Sequence, residues 1–321
     1  IVKSNLLPSA PAGKNAWIQF EFSSPQTIQA ITFAASGGGG GMPGRGAGSS
    51  NRWLEVSEDG RNFSKVVDIT AGRIAQNTIT FEPATGKYFR FNVKTPEASP
   101  MPQGMGGMFG GGMGRQPVGP SGTAVAELVL HTSGRINRFE DKAGFAAAAS
   151  TELARSATPE VKDAIMKSNV VDLTSMMKPD GSLEWTVPEG KWAIMRLGYS
   201  LTGHQNSPAS PEATGLEVDK LNPTYVKKYF DNYLDQYKDA TGGLMGQRGL
   251  QYIITDSWEA GTQNWTDNMI AEFKNRRGYD ILPWLPVLSG HIVESSASSD
   301  RFLWDFRRTL EELVSEYHYD Q

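Results

Sequence analysis

Residues 17–33 read WIQFEFSSPQTIQAITF, two runs of mixed apolar and polar residues on either side of a Ser-Pro pair. In the first run Trp17, Gln19 and Glu21 share one face, while Ile18, Phe20 and Phe22 share the other. That period of two is what a half-buried antiparallel strand requires. Working outward, strand-like runs recur at residues 52–57, 66–69, 78–81, 88–93 and 124–131. Turn chemistry separates them: Ser24-Pro25, Glu58-Asp59-Gly60 and Thr85-Gly86. Many short strands without intervening helices predict an antiparallel β-sandwich for the first half of the chain.

Two stretches interrupt this pattern. Residues 36–50 hold eight glycines and residues 101–122 hold nine, together 17 of the chain's 35. Glycine runs lose too much backbone entropy on ordering to form strand or helix interiors, so both are expected as loop inserts. Neither has the Lys-Ser/Thr ending of a nucleotide-binding loop.

The composition narrows the classes of function. Hydrophobic residues make up 39% of 321, enough for a substantial core and about two domains. Thirty-one basic against 35 acidic residues give a net charge of −4, which offers no global attraction to nucleic acid. The chain has no cysteine, which excludes disulfides and thiolate chemistry. No apolar stretch approaches the length of a membrane span. The start at Ile1 without a signal-like region, and a helical pattern at residues 300–319 that meets Gln321 without a glycine cap, predict an internal segment of a longer polypeptide.

From about residue 135 the pattern changes. An alanine-rich stretch at 143–167 reads as connection, and strands are expected at 192–199 and 250–254. Asn222-Pro223 signals the start of a helix with Val226, Tyr229, Phe230, Tyr233 and Tyr237 on its apolar stripe, closed by Gly242-Gly243. Further helices are expected at 266–277, ended by Gly278, and around 303–317. Alternating strands and helices predict part of a (β/α)8 barrel of the TIM type. The expected layout is therefore α+β multidomain: a sandwich over 1–135, a connecting segment over 136–184 and a partial barrel over 185–321.

In such barrels chemistry sits at the carboxyl ends of strands. GLQYIITDSWE, residues 249–259, runs from an apolar strand straight into Asp256, Trp258 and Glu259. A carboxyl beside Trp258 and near Trp265 can be desolvated and keep its proton, making Glu259 the candidate general acid. A helix-entry acid is the plainer alternative. The two tryptophans suit stacking on sugar or packing in a core. SPEATGLEVDK, residues 210–220, places Glu212, Glu217 and Asp219 close together, a pattern suited to a hard cation such as calcium, to sugar hydroxyls, or simply to a solvated acidic loop. His204 and Asn206 follow the strand at 192–199 and can reach the same rim. His291 and His318 read as structural, and His131 has no acidic partner nearby in sequence. No G-x-S-x-G elbow supports a serine triad.

Two resemblances follow from these phrases. WIQFEF, EVSEDGRNF and KYFRFNV, within about residues 10–132, resemble the discoidin, galactose-binding type of jelly-roll module. GLEVDK and DSWEAG, within about residues 185–321, resemble the α-L-rhamnosidases of glycoside hydrolase family 106. That resemblance implies an inverting exo-glycosidase acting on rhamnose-containing glycans, calcium at the site, no organic cofactor and a periplasmic or secreted bacterial location. It implies Glu259 as acid or primary substrate contact, and Glu217 and Asp219 on metal or sugar; Asp256, Trp258, Trp265, His204 and Asn206, by their place at the strand ends, are the expected substrate contacts around them. Inversion needs a second carboxylate about 6.5–9.5 Å from the first. Glu272, Glu294, Glu311, Glu312 and Glu316 follow no strand, so the base is expected in the remainder of the polypeptide and the segment alone is expected to be inactive. A non-catalytic carbohydrate-binding or scaffolding protein is the alternative.

Overall fold

Of the 321 residues, the computed structural model describes 6–35, 51–70, 74–97, 122–146, 151–207, 209–246, 248–254, 258 and 260–320. The two glycine-rich stretches fall almost wholly outside these. The strands are β1 (Leu6–Pro8), β2 (Asn15–Ala35), β3 (Arg52–Ser57), β4 (Ser64–Asp68), β5 (Gln76–Lys94) and β6 (Gly122–His131). They form one antiparallel sheet in the order β1-β6-β2-β5-β3-β4. The runs at 17–22 and 27–34 fuse into β2, and those at 78–81 and 88–93 fuse into β5.

The fusion has a local cause. Ser24-Pro25 and Thr85-Gly86 lie side by side, so each irregularity has a strand next to it: Gln26 pairs with Gly86 and Thr27 with Thr85. The two threonine hydroxyls are 2.8 Å apart. Register shifts between Glu21 and Gln26, and between Ile28 and Ala30, absorb the extra residues, as bulges do. Gly86 is required by close approach, because a Cβ there would stand 2.4 Å from Val56 of β3.

The sheet is folded over at these bulges. Residues 15–21 of β2 pair with 88–94 of β5, whose outer neighbour is β3, while residues 30–34 pair with 76–80 and lie beside β6. Phe33 comes from one half and Phe91 from the other, yet their rings stack at 4.9 Å and 24°. Ile31, Ile79, Leu54 and Phe89 join the same core. This is the sandwich the alternation implied, made from two long strands that pass through both layers. On the half that holds β6, the Thr32 hydroxyl lies 2.8 Å from both Thr78 and His131, a polar cluster that accounts for the histidine.

The hairpin between β3 and β4 is set by Asp59. One of its carboxylate oxygens accepts from the backbone N–H groups of Arg61 and Asn62 at 2.8 Å and from the Ser57 hydroxyl at 2.9 Å. These donors, the Asn62 N–H first, hold the carboxyl well below the usual range. A depressed folded-state pKa adds stability above the unfolded value, and that stability is lost as pH falls through the folded one. Asp59→Ala is therefore expected to lower the melting temperature at pH 7, with the gap to wild type closing as pH drops below the ordinary carboxylate range. Parallel melts of the two proteins between pH 7 and 2 check this.

The chain divides into two compact units, Ile1–Arg138 with Ser156–Asp163, and Phe139–Arg155 with Ala164–Gln321. The second contains α1 (Phe139–Lys142), α2 (Thr151–Arg155), α3 (Pro223–Ala240), α4 (Met269–Arg277) and α5 (Ser296–Val314). Residues 140–143, within the expected connector, are buried here. Lys142 is 2% exposed and meets Asp300 at 2.7 Å. The core is built by Met269 and Phe273 of α4 with Phe302, Leu303, Phe306 and Leu313 of α5.

Helix ends follow the expected chemistry. Asn222 caps α3 by accepting from Thr224 N–H at 3.0 Å, Pro223 opens it, and Gly278 closes α4 in the left-handed conformation. α5 starts earlier than the apolar pattern indicated, because the Ser295 hydroxyl caps it through Ser298 N–H. On α3 only Val226 is buried, and Tyr229, Tyr233 and Tyr237 of the expected apolar stripe are exposed.

The expected barrel strands are not formed. Among the described residues the second unit has no strand, only isolated bridges such as Gln205 with Leu216 and Met245 with Leu250. Residues 192–199 and 250–254 have no ladder, with Tyr252 83% and Ile254 92% exposed. A strand exists only when a neighbour takes its backbone N–H and C=O groups, and an apolar run does not supply that neighbour. No helix among the described residues is long and apolar enough to cross a membrane.

Candidate active site

The GLEVDK segment is anchored from three sides. Glu217 N–H donates to His204 carbonyl at 3.0 Å, which ties the segment to the loop that precedes it. Gln263 clamps the backbone, accepting from Lys220 N–H at 3.1 Å and donating to the Val218 carbonyl at 3.5 Å. Asp219 accepts from Leu221 N–H with one carboxylate oxygen and from the Thr266 hydroxyl with the other, at 2.9 and 2.7 Å. Residues about 45 positions apart in sequence are thereby joined.

Lys220 organises what the segment presents. Its ammonium is hydrogen-bonded to Glu217 and stands 5.5 Å from the centroid of Trp258. The Trp258 indole N–H donates to Gly261 carbonyl at 2.7 Å, and the ring meets His318 edge-on at 5.5 Å and 84°. His318 lies in a π-helical turn, Ser315–Tyr319, that continues α5. Such turns are frequent at functional sites. Burial pushes the His318 pKa down and the nearby Lys220 ammonium adds to this, against an opposing pull from Glu217. Burial and the ammonium both favour the neutral imidazole.

A second tie lies alongside. Tyr199 and Tyr225 donate to the two oxygens of Asp267 at 2.8 and 3.0 Å, and these bonds push both phenol pKa values up. Trp265 lies between Tyr199 at 6.2 Å and Phe306 at 6.4 Å, so it links this corner to the core of the unit.

Of the residues singled out in the sequence, Glu217, Asp219, Trp258, Trp265 and His204 come into one neighbourhood. The His204 ring reaches toward Gly261, since a Cβ there would lie 3.9 Å from its Nδ1. Asn206 is consumed by its own loop, accepting from Gly215 N–H at 2.7 Å and donating to Ala213 carbonyl at 3.0 Å. Asp256 and Glu259 lie outside the described residues. Sequence reasoning missed Lys220, Gln263, Asp267 and the place of His318. The only signal for Lys220 was its position in the GLEVDK motif, and the others carried none.

Chemically, this cluster offers an ion-paired carboxylate, an indole and a neutral imidazole, groups suited to sugar hydroxyls and an apolar sugar face. It does not fit calcium as placed. Glu217 faces an ammonium, Asp219 has both oxygens on protein donors, and among the described residues no group of three metal-ligating side chains converges. Calcium takes about six to eight oxygen ligands.

Comparison with known proteins agrees with the sugar-directed chemistry. A rhamnosidase from Novosphingobium sp. PP1Y has a solved structure that is similar over 97% of this chain, with a TM-score of 0.74 and 31% identity. A Formosa agariphila protein named "Putative beta-glucuronidase" is 41% identical over 155 residues, 48% of this chain. The chain spans only 27% of the first protein and 13% of the second. The family model for glycoside hydrolase family 106, described as alpha-L-rhamnosidase, matches residues 22–321. That match takes in most of the sandwich and both the GLEVDK and DSWE motifs, and the chain belongs to the alpha-L-rhamnosidase family 106 of glycoside hydrolases.

Proposed function

We propose that the polypeptide containing this segment is an exo-glycosidase that removes terminal α-L-rhamnose with inversion from rhamnose-containing glycans. The observation that carries this reading is the family match, which runs through both acidic motifs. In the proposed site Glu259 protonates the departing oxygen, and Trp258, His204 and Glu217 contact the sugar. Lys220 positions Glu217. The base that activates water is assigned to another part of the polypeptide.

The same proposal extends to fold and location. The runs at 192–199 and 250–254 are read as barrel strands whose neighbours are contributed by the rest of the polypeptide, a reading supported by their exposed apolar side chains. A periplasmic or secreted location rests on the family resemblance.

A second reading, cleavage of β-D-glucuronides, is favoured by the name of the Formosa agariphila relative. Assaying the full-length protein on aryl α-L-rhamnoside and aryl β-D-glucuronide separates the two, and proton NMR of the first-formed product reads its anomeric configuration. The expected result is β-L-rhamnose, with no measurable rhamnose released by the 321-residue chain alone. Release of glucuronate only would replace the first reading with the second. An inert full-length protein that still binds glycan would support a scaffolding role.

A further inference from the structure

The end of α4, the 3-10 segment Leu282–Ser289 and α5 border a cavity of about 660 Å³ in the second unit. It shares no lining residue with the cluster around Trp258. The volume lies in the range of small-molecule sites, about 300–1,000 Å³. Trp284 forms its apolar wall, backed by Phe302 at 5.6 Å and 15°, and Tyr279 stands edge-on to it at 6.3 Å.

The charged groups on the wall divide into two sets. Arg276 and Arg277 are spent in ion pairs, the first with Glu272 and Glu316 and the second with Glu312. Lys167, Arg301, Asp280 and Asp305 make no ion pair among the described residues. Asp280 uses one oxygen to accept from Leu282 N–H at 3.0 Å, and Asp305 uses one to accept from the Tyr279 hydroxyl at 3.0 Å. Each keeps a second oxygen. The Lys167 ammonium lies 5.6 Å from the Trp284 centroid, on a flexible stem that can swing aside.

Two cations, two carboxylates and an indole form a balanced set of donors and acceptors around an aromatic plane. Hydroxyl groups donate and accept, so a neutral polyol satisfies both signs at once, whereas an added anion gains from Lys167 and Arg301 and loses against Asp280 and Asp305. We infer that this cavity is a second carbohydrate-binding site, selective for a neutral sugar ring over a uronate or a sulfated sugar. Trp284 supports the ring, Arg301 and Lys167 donate to its hydroxyls, and Asp280 and Asp305 accept from them.

Saturation-transfer NMR on the 321-residue chain tests this with methyl α-L-rhamnoside, methyl β-D-galactoside and sodium D-galacturonate. At least one neutral glycoside is expected to bind, and more tightly than the uronate. Arg301→Gln and Asp280→Asn, which leave the Trp284–Phe302 packing in place, are each expected to weaken that binding at least about tenfold, as loss of a charged hydrogen-bond partner does. Circular dichroism confirms that the variants fold. The inference is overturned if neither neutral glycoside binds, if neither substitution changes the binding, or if galacturonate binds more tightly.

Discussion

Glu259→Gln in the full-length protein is expected to lower kcat on a natural rhamnoside by roughly 10²–10⁴, the usual contribution of a positioned general acid. Glutamine keeps the size and hydrogen-bonding capacity of the side chain and removes only the transferable proton. The loss should depend on the leaving group. An aryl rhamnoside whose phenol departs unaided should lose much less than a disaccharide, whose alkoxide needs the proton as the bond breaks. Steady-state rates on both substrates check this, and near-normal rates on the disaccharide would remove Glu259 from the acid role.

Phe91→Ala is expected to cost the chain roughly 3–5 kcal/mol of stability, in the range for truncating a buried aromatic ring. Phe91 is 0% exposed, has Ile18 and Leu54 as its neighbours across the sheet, and stacks on Phe33 from the opposite layer. Its removal opens a cavity and deletes the stack, itself worth about 0.5–1.5 kcal/mol beyond buried area. The double variant Phe33→Ala/Phe91→Ala should cost less than the two single changes combined, because each single change already breaks the shared contact. Urea unfolding of the four proteins gives the coupling. A loss under about 1 kcal/mol, or strict additivity, would show that the layers do not depend on this stack.

What the sequence made readable follows from which interactions are local. Alternation in 17–22 identified the inward face of β2, and Asn222, Pro223 and Gly278 marked helix ends, because capping involves residues two to four positions apart. Fusion of the short runs into β2 and β5 was hidden. Ser24-Pro25 reads as a stop until its partner, Thr85-Gly86, is known to lie beside it. The runs at 192–199 and 250–254 show the converse, since apolar periodicity indicates a face to be covered without naming its cover. At the site, GLEVDK and DSWE stood out as motifs. The pairing of Lys220 with Trp258 and of Trp258 with His318 joins positions 38 and 60 residues apart, and no local pattern encodes it. His318 read as structural because an isolated histidine on a helix carries no sign of what it faces.

The connectivity of the two units limits what can be moved or cut. The backbone passes between them at 138/139, 155/156 and 163/164, and the excursion at 156–163 belongs to the sandwich unit. Asn137 depends on that excursion, its N–H donating to the Thr158 hydroxyl at 3.1 Å and its amide to Ser156 at 3.2 Å. A recombination breakpoint near residue 138 would leave the sandwich without residues 156–163, to which Asn137 is bonded, whereas one beyond 163 carries α1 and α2 along with it. Lys142 would then travel without Asp300, stranding a buried ammonium. The sandwich in this chain is therefore not a freely transferable cassette, and gene fusions that transplant it intact must transplant part of the helical unit too.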